Sequence, residues 1–268
     1  MNTITSRNNE LIVRVAKLKD KKYRDSEKVF LFEGIKLTRE AIDSKVEIEH
    51  IFMTQRCADL YPDIALMHNA VLISDSVCEK ISENRAPEGI ICTAKYIDSL
   101  HKKYIRATEL DKKDVCLLLS SIQDPGNLGT IARTSAAFGK KTLIISSDSA
   151  DIYSQKTVRA SMGAIFRTKI YRTEDLEDTI KDMKDSGLSV YATALHKDAV
   201  ELQAIPQNIE SPCFVLGNEG HGLGQNIIDA CTGTVIIPME PDAESLNVSS
   251  AASVILWENY RKGKYNHE

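Results

Sequence analysis

The sequence predicts an α/β protein in two parts: a small α/β domain, then a larger domain built on a mostly parallel sheet. Three observations carry this reading. From Val115 onward, short apolar runs alternate with helical stretches, the pattern of parallel strands joined by crossover helices and covered on both faces. The apolar runs break at turn residues, notably Asp124-Pro125-Gly126, Gly217-Asn218-Glu219-Gly220 and Pro238. A polar, lysine-containing stretch with few periodic apolar positions, Tyr96 to Lys113, separates the larger part from what precedes it.

In chain order, Asn9 to Lys22 reads as one helix, with Leu11, Ile12, Val15 and Leu18 on one side and Arg14, Lys17 and Lys21 towards another. Val29 to Gly34 is a short strand, followed by a helix from Ile35 to Ser44. Ile48 to Thr54 and Val71 to Ser74 are further strands, Ser76 to Ser82 a short helix, and Glu88 to Ala94 the returning strand. Together they make a unit of about a hundred residues, an ordinary domain size. Beyond the linker come a strand, Val115 to Leu119, and a helix from Asn127 stopped by Gly139. Next are the strand Thr142 to Ile145, a helix around Tyr153 to Ala160, the strand Arg167 to Tyr171, the helix Thr173 to Ser186 and the strand Leu188 to Thr193. Cys213 to Leu216, Leu223 to Ala230 and Thr234 to Ile237 follow as strand, helix and strand. The last helix opens around Ser245 to Asn247, residues whose side chains suit a helix start. Pattern alone draws an unknotted doubly wound sheet, because threaded chains are essentially absent from proteins.

At 268 residues, with 43% apolar and 27% charged residues, the chain has the balance of a soluble globular protein. No run is long enough to span a bilayer, and the N-terminus lacks the apolar core of a signal peptide. The six cysteines are scattered without a Cys-x-x-Cys pair, which fits a reducing cytoplasm; Cys116 and Cys213, inside apolar strands, read as core thiols. The histidines never fall into ligand spacing, so no metal site is expected. A net charge of −4 does not mark a nucleic-acid binder. Such a protein needs only a local basic surface, and Arg14 to Lys28 is the candidate stretch, diluted by Asp20, Asp25 and Glu27.

Three stretches carry chemistry. Ser120 to Gly139 follows a strand and holds Asn127 and Arg133. Cys213 to Gly224 is a strand running into a glycine-rich turn that holds Glu219 between Gly217 and Gly220. Ile236 to Arg261 is a strand end, a loop after Pro238 and a helix that begins with Ser245, Leu246, Asn247 and Ser249. In this order the three resemble the motifs of the SpoU (TrmH) family of RNA ribose methyltransferases. The likeness covers Val115 to Arg261, with a weaker likeness of the N-terminal part to the family's ribosomal-protein-like substrate-binding domain.

The resemblance implies an RNA substrate-binding domain over 1–106 and a methyltransferase domain over 113–268 whose last strand, loop and helix pass through an earlier loop as a trefoil knot. It implies S-adenosylmethionine as cofactor, contacted by Gly217, Gly220, Ile237, Leu246 and Leu195. It implies RNA as partner, ribosomal RNA first and transfer RNA second, a ribose 2′-hydroxyl as acceptor, and a homodimer through the C-terminal domain. Arg133, Asn127, Glu219, Ser245 and Asn247 are the implied catalytic set. An arginine stays protonated, so Arg133 suits gripping a phosphate and stabilising a developing oxyanion rather than taking a proton. The proton acceptor is then a phosphate oxygen, a water or a carboxylate. Asn127 also reads as a simple helix cap, and Glu219 as a group that accepts from backbone N–H groups or orients Arg133. His221 is not assigned an essential role. One departure concerns the N-terminal domain: Asn84-Arg85-Ala86-Pro87-Glu88-Gly89 places Glu88 where the family often has a neutral amide.

Two other functional classes fit the sequence less well. A nucleotide-dependent oxidoreductase is disfavoured, because Gly217-x-x-Gly220-x-Gly222 reverses the dinucleotide fingerprint and Glu219 would repel a pyrophosphate. A non-catalytic RNA-binding protein is disfavoured because the polar residues of all three motifs are present together.

Overall fold

The computed structural model describes residues 3–97, 101–102, 106–110, 117–140, 142–206, 209, 212–240, 242 and 245–265. The first turn of the strand predicted from Val115, Cys116 and much of the predicted linker lie outside these. So do 241 and 243–244 in the loop after Pro238. Contacts divide the chain into two compact units, Met1–Ile97 with Asp151–Phe166, and Asp98–Ala150 with Arg167–Glu268.

The first unit begins with α1 (Glu10–Lys17) and α2 (Lys21–Glu27). The sequence predicts one helix here. The chain breaks it because Asp20 caps a new one, its carboxylate accepting from Lys22 N–H at 2.9 Å. Then come β1 (Val29–Glu33), α3 (Ile35–Asp43), β2 (Ile48–Met53), α4 (Gln55–Leu60), α5 (Pro62–Ala65), β3 (Ala70–Leu72), α6 (Asp75–Ile81) and β4 (Ile90–Lys95). Helices α4 and α5 are additions to the sequence reading, which leaves that stretch unassigned. The strands form a sheet in the order β1-β4-β2-β3, with β4 antiparallel to both neighbours and β2 parallel to β3. On one face Ile12, Val15 and Leu18 pack with Leu31, Phe52, Ile81 and Ile91.

On the sheet's other side the unit takes in Asp151–Phe166, a segment distant in sequence. Tyr153 lies against Phe30 (ring centroids 4.7 Å apart) and stacks on Tyr96 at 3.8 Å, and Phe166 lies 5.1 Å from Phe32. The segment is fixed by Arg24. That side chain is only 6% exposed; its guanidinium donates to Asp151 Oδ2 at 2.6 Å and to the carbonyls of Leu18 and Lys19, both at 2.7 Å. This changes the reading of the basic stretch. Arg24 is an internal tie rather than part of an RNA-facing surface, and Lys21 is paired with Asp25. Breaking a buried, hydrogen-bonded ion pair from one side costs about 3–5 kcal/mol. Arg24→Ala is therefore expected to lower the stability of the protein by about that amount, read as a shift in the urea midpoint, whereas Lys22→Ala, an exposed residue in the same helix, leaves it unchanged.

The second unit starts at β5 (His101–Lys102) and continues through β6 (Leu117–Leu119), α7 (Pro125–Ala137) and β7 (Thr142–Ser146). After α8 (Gln155–Ser161), which belongs to the first unit, come β8 (Lys169–Thr173), α9 (Leu176–Asp185), β9 (Val190–Thr193) and β10 (Val200–Glu201). The chain then runs through β11 (Cys213–Leu216), α10 (Gln225–Ala230), β12 (Gly233–Ile236) and α11 (Val248–Tyr265). Eight strands form one sheet in the order β10-β12-β9-β11-β6-β7-β8-β5, and every neighbouring pair is parallel. The central strands are buried along their length, as expected for a sheet covered on both faces. Cys213 is a core thiol at 1% exposure, as predicted. From β6 the chain proceeds to β7 on one side, while β11 lies on the other. In open parallel sheets such a reversal leaves a crevice at the carboxyl ends of the strands.

Candidate active site

A cleft of about 710 Å³ opens at the carboxyl ends of β9, β11 and β12. It is built from three loops. Thr193 ends β9 and Ala194 and Leu195 follow it, Gly217 to Leu223 follow β11, and Ile236 ends β12 with Ile237 and Met239 beyond it, joined by Ser245 to Val248 at the start of α11. Of the predicted cofactor-contact residues, Gly217, Gly220, Ile237, Leu246 and Leu195 all line it. Leu195 is 80% exposed, so the mouth is open and apolar at one side.

The turn after β11 is closed in part by its own backbone. Asn218 and Gly222 exchange both hydrogen bonds, at 3.0 and 2.9 Å, and Gly222 takes a left-handed φ of +68°. Gly217 sits so close to this closure that a β-carbon on it would lie 2.5 Å from the carbonyl carbon of Gly222. Gly220 is different: a β-carbon there would meet only Asn218 Oδ1, at 3.5 Å. The second glycine gives the turn room but is not required by packing.

A chain of polar contacts joins the three motifs. Asp124 caps α7, its carboxylate accepting from Asn127 N–H at 3.0 Å, so Asn127 lies in the first turn rather than at the cap. Its side chain is thereby free, and Nδ2 donates to Glu219 Oε1 at 2.9 Å. Glu219 also accepts from the backbone N–H of Gln123 at 3.1 Å and of Asp124 at 3.3 Å. On the other side, Asn247 Nδ2 donates to Asn127 Oδ1 at 3.1 Å, while Asn247 Oδ1 accepts from Ser249 N–H at 2.9 Å. Asn247 thus both starts α11 and reaches the first motif. Ser245 lines the cleft and is exposed.

Partial burial raises the pKa of Glu219, but the amide of Asn127 and the backbone N–H donors outweigh it and hold the carboxyl below its ordinary value. At neutral pH it is an ionised acceptor with its oxygens already engaged. It orients the first motif through Asn127 and the loop, not through Arg133. Arg133 lies on α7 beyond the first motif's polar chain. It is exposed, makes no hydrogen bond or ion pair with any described residue, and is not among the residues lining the cleft. The structure therefore brings together Asn127, Glu219 and Asn247, places Ser245 and the cofactor-contact residues around the cleft, and leaves Arg133 on an exposed helix face.

The sequence reading misses several contributors. The Asp124-Pro125 pair is itself a helix-start signal, a capping side chain followed by proline at the first helical position, and it locates the cap three residues before Asn127. Asn218 carries no signal beyond its place beside Glu219. His221, unassigned from the sequence, also lines the cleft. Among the described residues, no group of three or more His, Cys, Asp and Glu side chains could hold a metal ion, and no helix is long and apolar enough to cross a membrane.

Residues 114–257 match the SpoU rRNA Methylase family. The chain belongs to that family. Its residues 9–92 match the MRM3-like substrate binding domain. Among SpoU relatives, the 23S rRNA (guanosine(2553)-2′-O)-methyltransferase RlmP of Bacillus subtilis is 29% identical over 257 residues, 96% of this chain and 98% of that protein. An uncharacterized tRNA/rRNA methyltransferase of Synechocystis sp. is 30% identical over 266 residues, 97% of this chain and 94% of its own. In structure, the AdoMet-bound rRNA methyltransferase of Sinorhizobium meliloti superposes with a TM-score of 0.83 at 27% identity, covering 98% of each chain. The mostly parallel α/β architecture is that of the SpoU methyltransferases, and this member is an S-adenosylmethionine-dependent RNA methyltransferase.

Proposed function

We propose that this enzyme methylates a ribose 2′-hydroxyl of ribosomal RNA. The observation that carries this is the polar chain Ser249–Asn247–Asn127–Glu219, which joins all three motifs at the edge of an open, apolar-sided cleft. It is supported by the likeness to the B. subtilis relative, a 23S rRNA 2′-O-methyltransferase. Transfer RNA is the second choice of substrate.

The cleft suits S-adenosylmethionine. Its volume lies in the range that holds a molecule of drug size, roughly 300–1,000 Å³. One wall is glycine backbone with no room for a side chain at Gly217, while Leu195, Met239 and Leu246 offer exposed apolar surface. When bound, S-adenosylmethionine supplies a methyl group already activated by a sulfonium. What remains for the chain is to orient the ribose oxygen in line, exclude water and stabilise charge as the hydroxyl proton leaves. Glu219 and Asn127 hold the first motif in register with the glycine-rich turn, and Asn247 fixes the start of α11 against it. Because Glu219 is held ionised by three donors, it serves as an orienting acceptor, and the hydroxyl proton goes to a phosphate oxygen or to water. Arg133 grips the RNA phosphate beside the target.

The same reading divides the labour between an RNA substrate-binding domain, 1–106, and a methyltransferase domain, 113–268, with 233–265 taking the family's knotted path. It makes the working unit a homodimer through the C-terminal domain. In support, Val254 and Trp257 stand 39% and 47% exposed on α11, where Trp257 joins an aromatic cluster with Phe138 and Tyr260. Light scattering that returns the mass of one chain from a fully active preparation removes the dimer.

The decisive experiment treats unmodified ribosomal RNA with the protein and isotopically labelled S-adenosylmethionine, digests it, and maps the label by mass spectrometry. One new 2′-O-methylated nucleotide in ribosomal RNA is expected. Label on a base, or in transfer RNA alone, overturns the assignment.

A further inference from the structure

We infer that Asn218 is a positioning residue with two separable jobs: it closes the cofactor-side turn and it holds the loop that delivers Asn127. The inference rests on the methyltransferase reading above and extends it to a side chain outside the motif set assigned from resemblance.

The two ends of the Asn218 amide face different partners. Oδ1 accepts from Gly220 N–H at 2.8 Å and His221 N–H at 3.1 Å, which folds the turn back on itself. Nδ2 points the other way and donates to the carbonyl of Ser121 at 2.8 Å, across 97 positions of sequence. Ser121 is no ordinary anchor. It holds a left-handed φ of +55°, a conformation that a non-glycine residue keeps only where its surroundings over-determine it. Its N–H donates to Ser146 Oγ at 2.8 Å, its hydroxyl bonds Asp148 Oδ2 at 2.5 Å, and its carbonyl takes the Asn218 bond. Ser121 begins the loop that leads through Asp124 into α7, and so sets where Asn127 and Arg133 stand. Asn218 and Glu219, adjacent in sequence, therefore tie the same loop at two points. Glu219 takes the helix end and Asn218 the strand end.

A shift of about 1 Å in reacting geometry costs roughly 100-fold in rate without any change in ground-state binding. The two jobs can be pulled apart by chemistry. Asn218→Asp keeps an acceptor for Gly220 and His221 but sets a second acceptor against the Ser121 carbonyl. Asn218→Ser keeps a hydroxyl acceptor for Gly220 and is too short to reach Ser121. Asn218→Ala removes both functions.

The full-length protein is measured by calorimetry with S-adenosylmethionine, by steady-state methyl transfer to ribosomal RNA, and by thermal unfolding. Asn218→Asp and Asn218→Ser are each expected to bind cofactor within about threefold of the parent while kcat falls ~10- to 100-fold. Asn218→Ala is expected to lose both. Melting temperatures close to the parent's in the first two exclude a folding defect, and the serine variant carries the test should the aspartate variant not fold. Equal loss of affinity in all three, or unchanged kcat in both split variants, overturns the inference. A parent protein that neither binds the cofactor nor transfers methyl overturns the functional reading instead.

Discussion

Replacing Arg133 with alanine is expected to lower kcat for methyl transfer at least ~100-fold while leaving S-adenosylmethionine affinity within about threefold. The affinity half follows from position. Arg133 is on an exposed face of α7 and is not among the residues that line the cleft, so no cofactor contact is lost with it. The rate half follows from chemistry. A guanidinium cannot leave its charged state, and a charge that makes no hydrogen bond or ion pair among the described residues is available for a phosphate and for the oxyanion that develops during transfer. Because the side chain is exposed and bonds to no other described residue, the substitution should change stability by no more than about 0.5 kcal/mol. A lysine at the same position keeps the charge but not the fork that matches two phosphate oxygens, and is expected to recover only part of the rate. A variant that binds cofactor weakly yet turns over at the parent rate at saturation would place Arg133 on the cofactor and not on the RNA.

The legible part of this structure was the part fixed by local pattern. β11 is read from the sequence with its true ends because Cys213 to Leu216 are apolar throughout, buried on both faces, and stopped by a glycine. The parallel sheet was legible from alternation. Its strand order was not, since pairing β11 with both β6 and β9 depends on contacts far apart in sequence. Helix α4 is too short for periodicity to register, with only Cys57 and Ala58 buried among its six residues. The basic stretch shows the limit most clearly. Composition groups Arg24 with Lys17, Lys21 and Lys22, yet Arg24 alone turns inward, to a carboxylate 127 positions away. In the candidate site the motif residues were legible as a set through resemblance. What they do to one another was not. That Asn127 is a donor to Glu219 rather than a cap follows only from Asp124 having taken the cap.

The glycine-rich turn gives the second large effect, and here two glycines of one motif are expected to behave in opposite ways. At Gly217 a β-carbon would stand 2.5 Å from the Gly222 carbonyl carbon, 2.6 Å from its oxygen and 2.8 Å from Leu223 N. All three are backbone atoms that cannot rotate aside, and two belong to the residue whose hydrogen bonds with Asn218 close the turn. Alanine must open that closure, and the wall of the cleft moves with it. Strands β6 and β11 are buried beneath and keep their pairing, so the damage should stay local to the turn. Gly217→Ala is thus expected to raise the dissociation constant for S-adenosylmethionine at least ~50-fold, a loss of about 2.3 kcal/mol in binding, with the protein still folded by circular dichroism. At Gly220 the same methyl meets only Asn218 Oδ1 at 3.5 Å, an ordinary contact. Gly220→Ala is expected to hold the affinity within about threefold, less than 0.7 kcal/mol. Calorimetry on the pair checks both at once. Comparable affinities for the two variants would mean that the close approach of Gly217 to Gly222 does not shape the cofactor site.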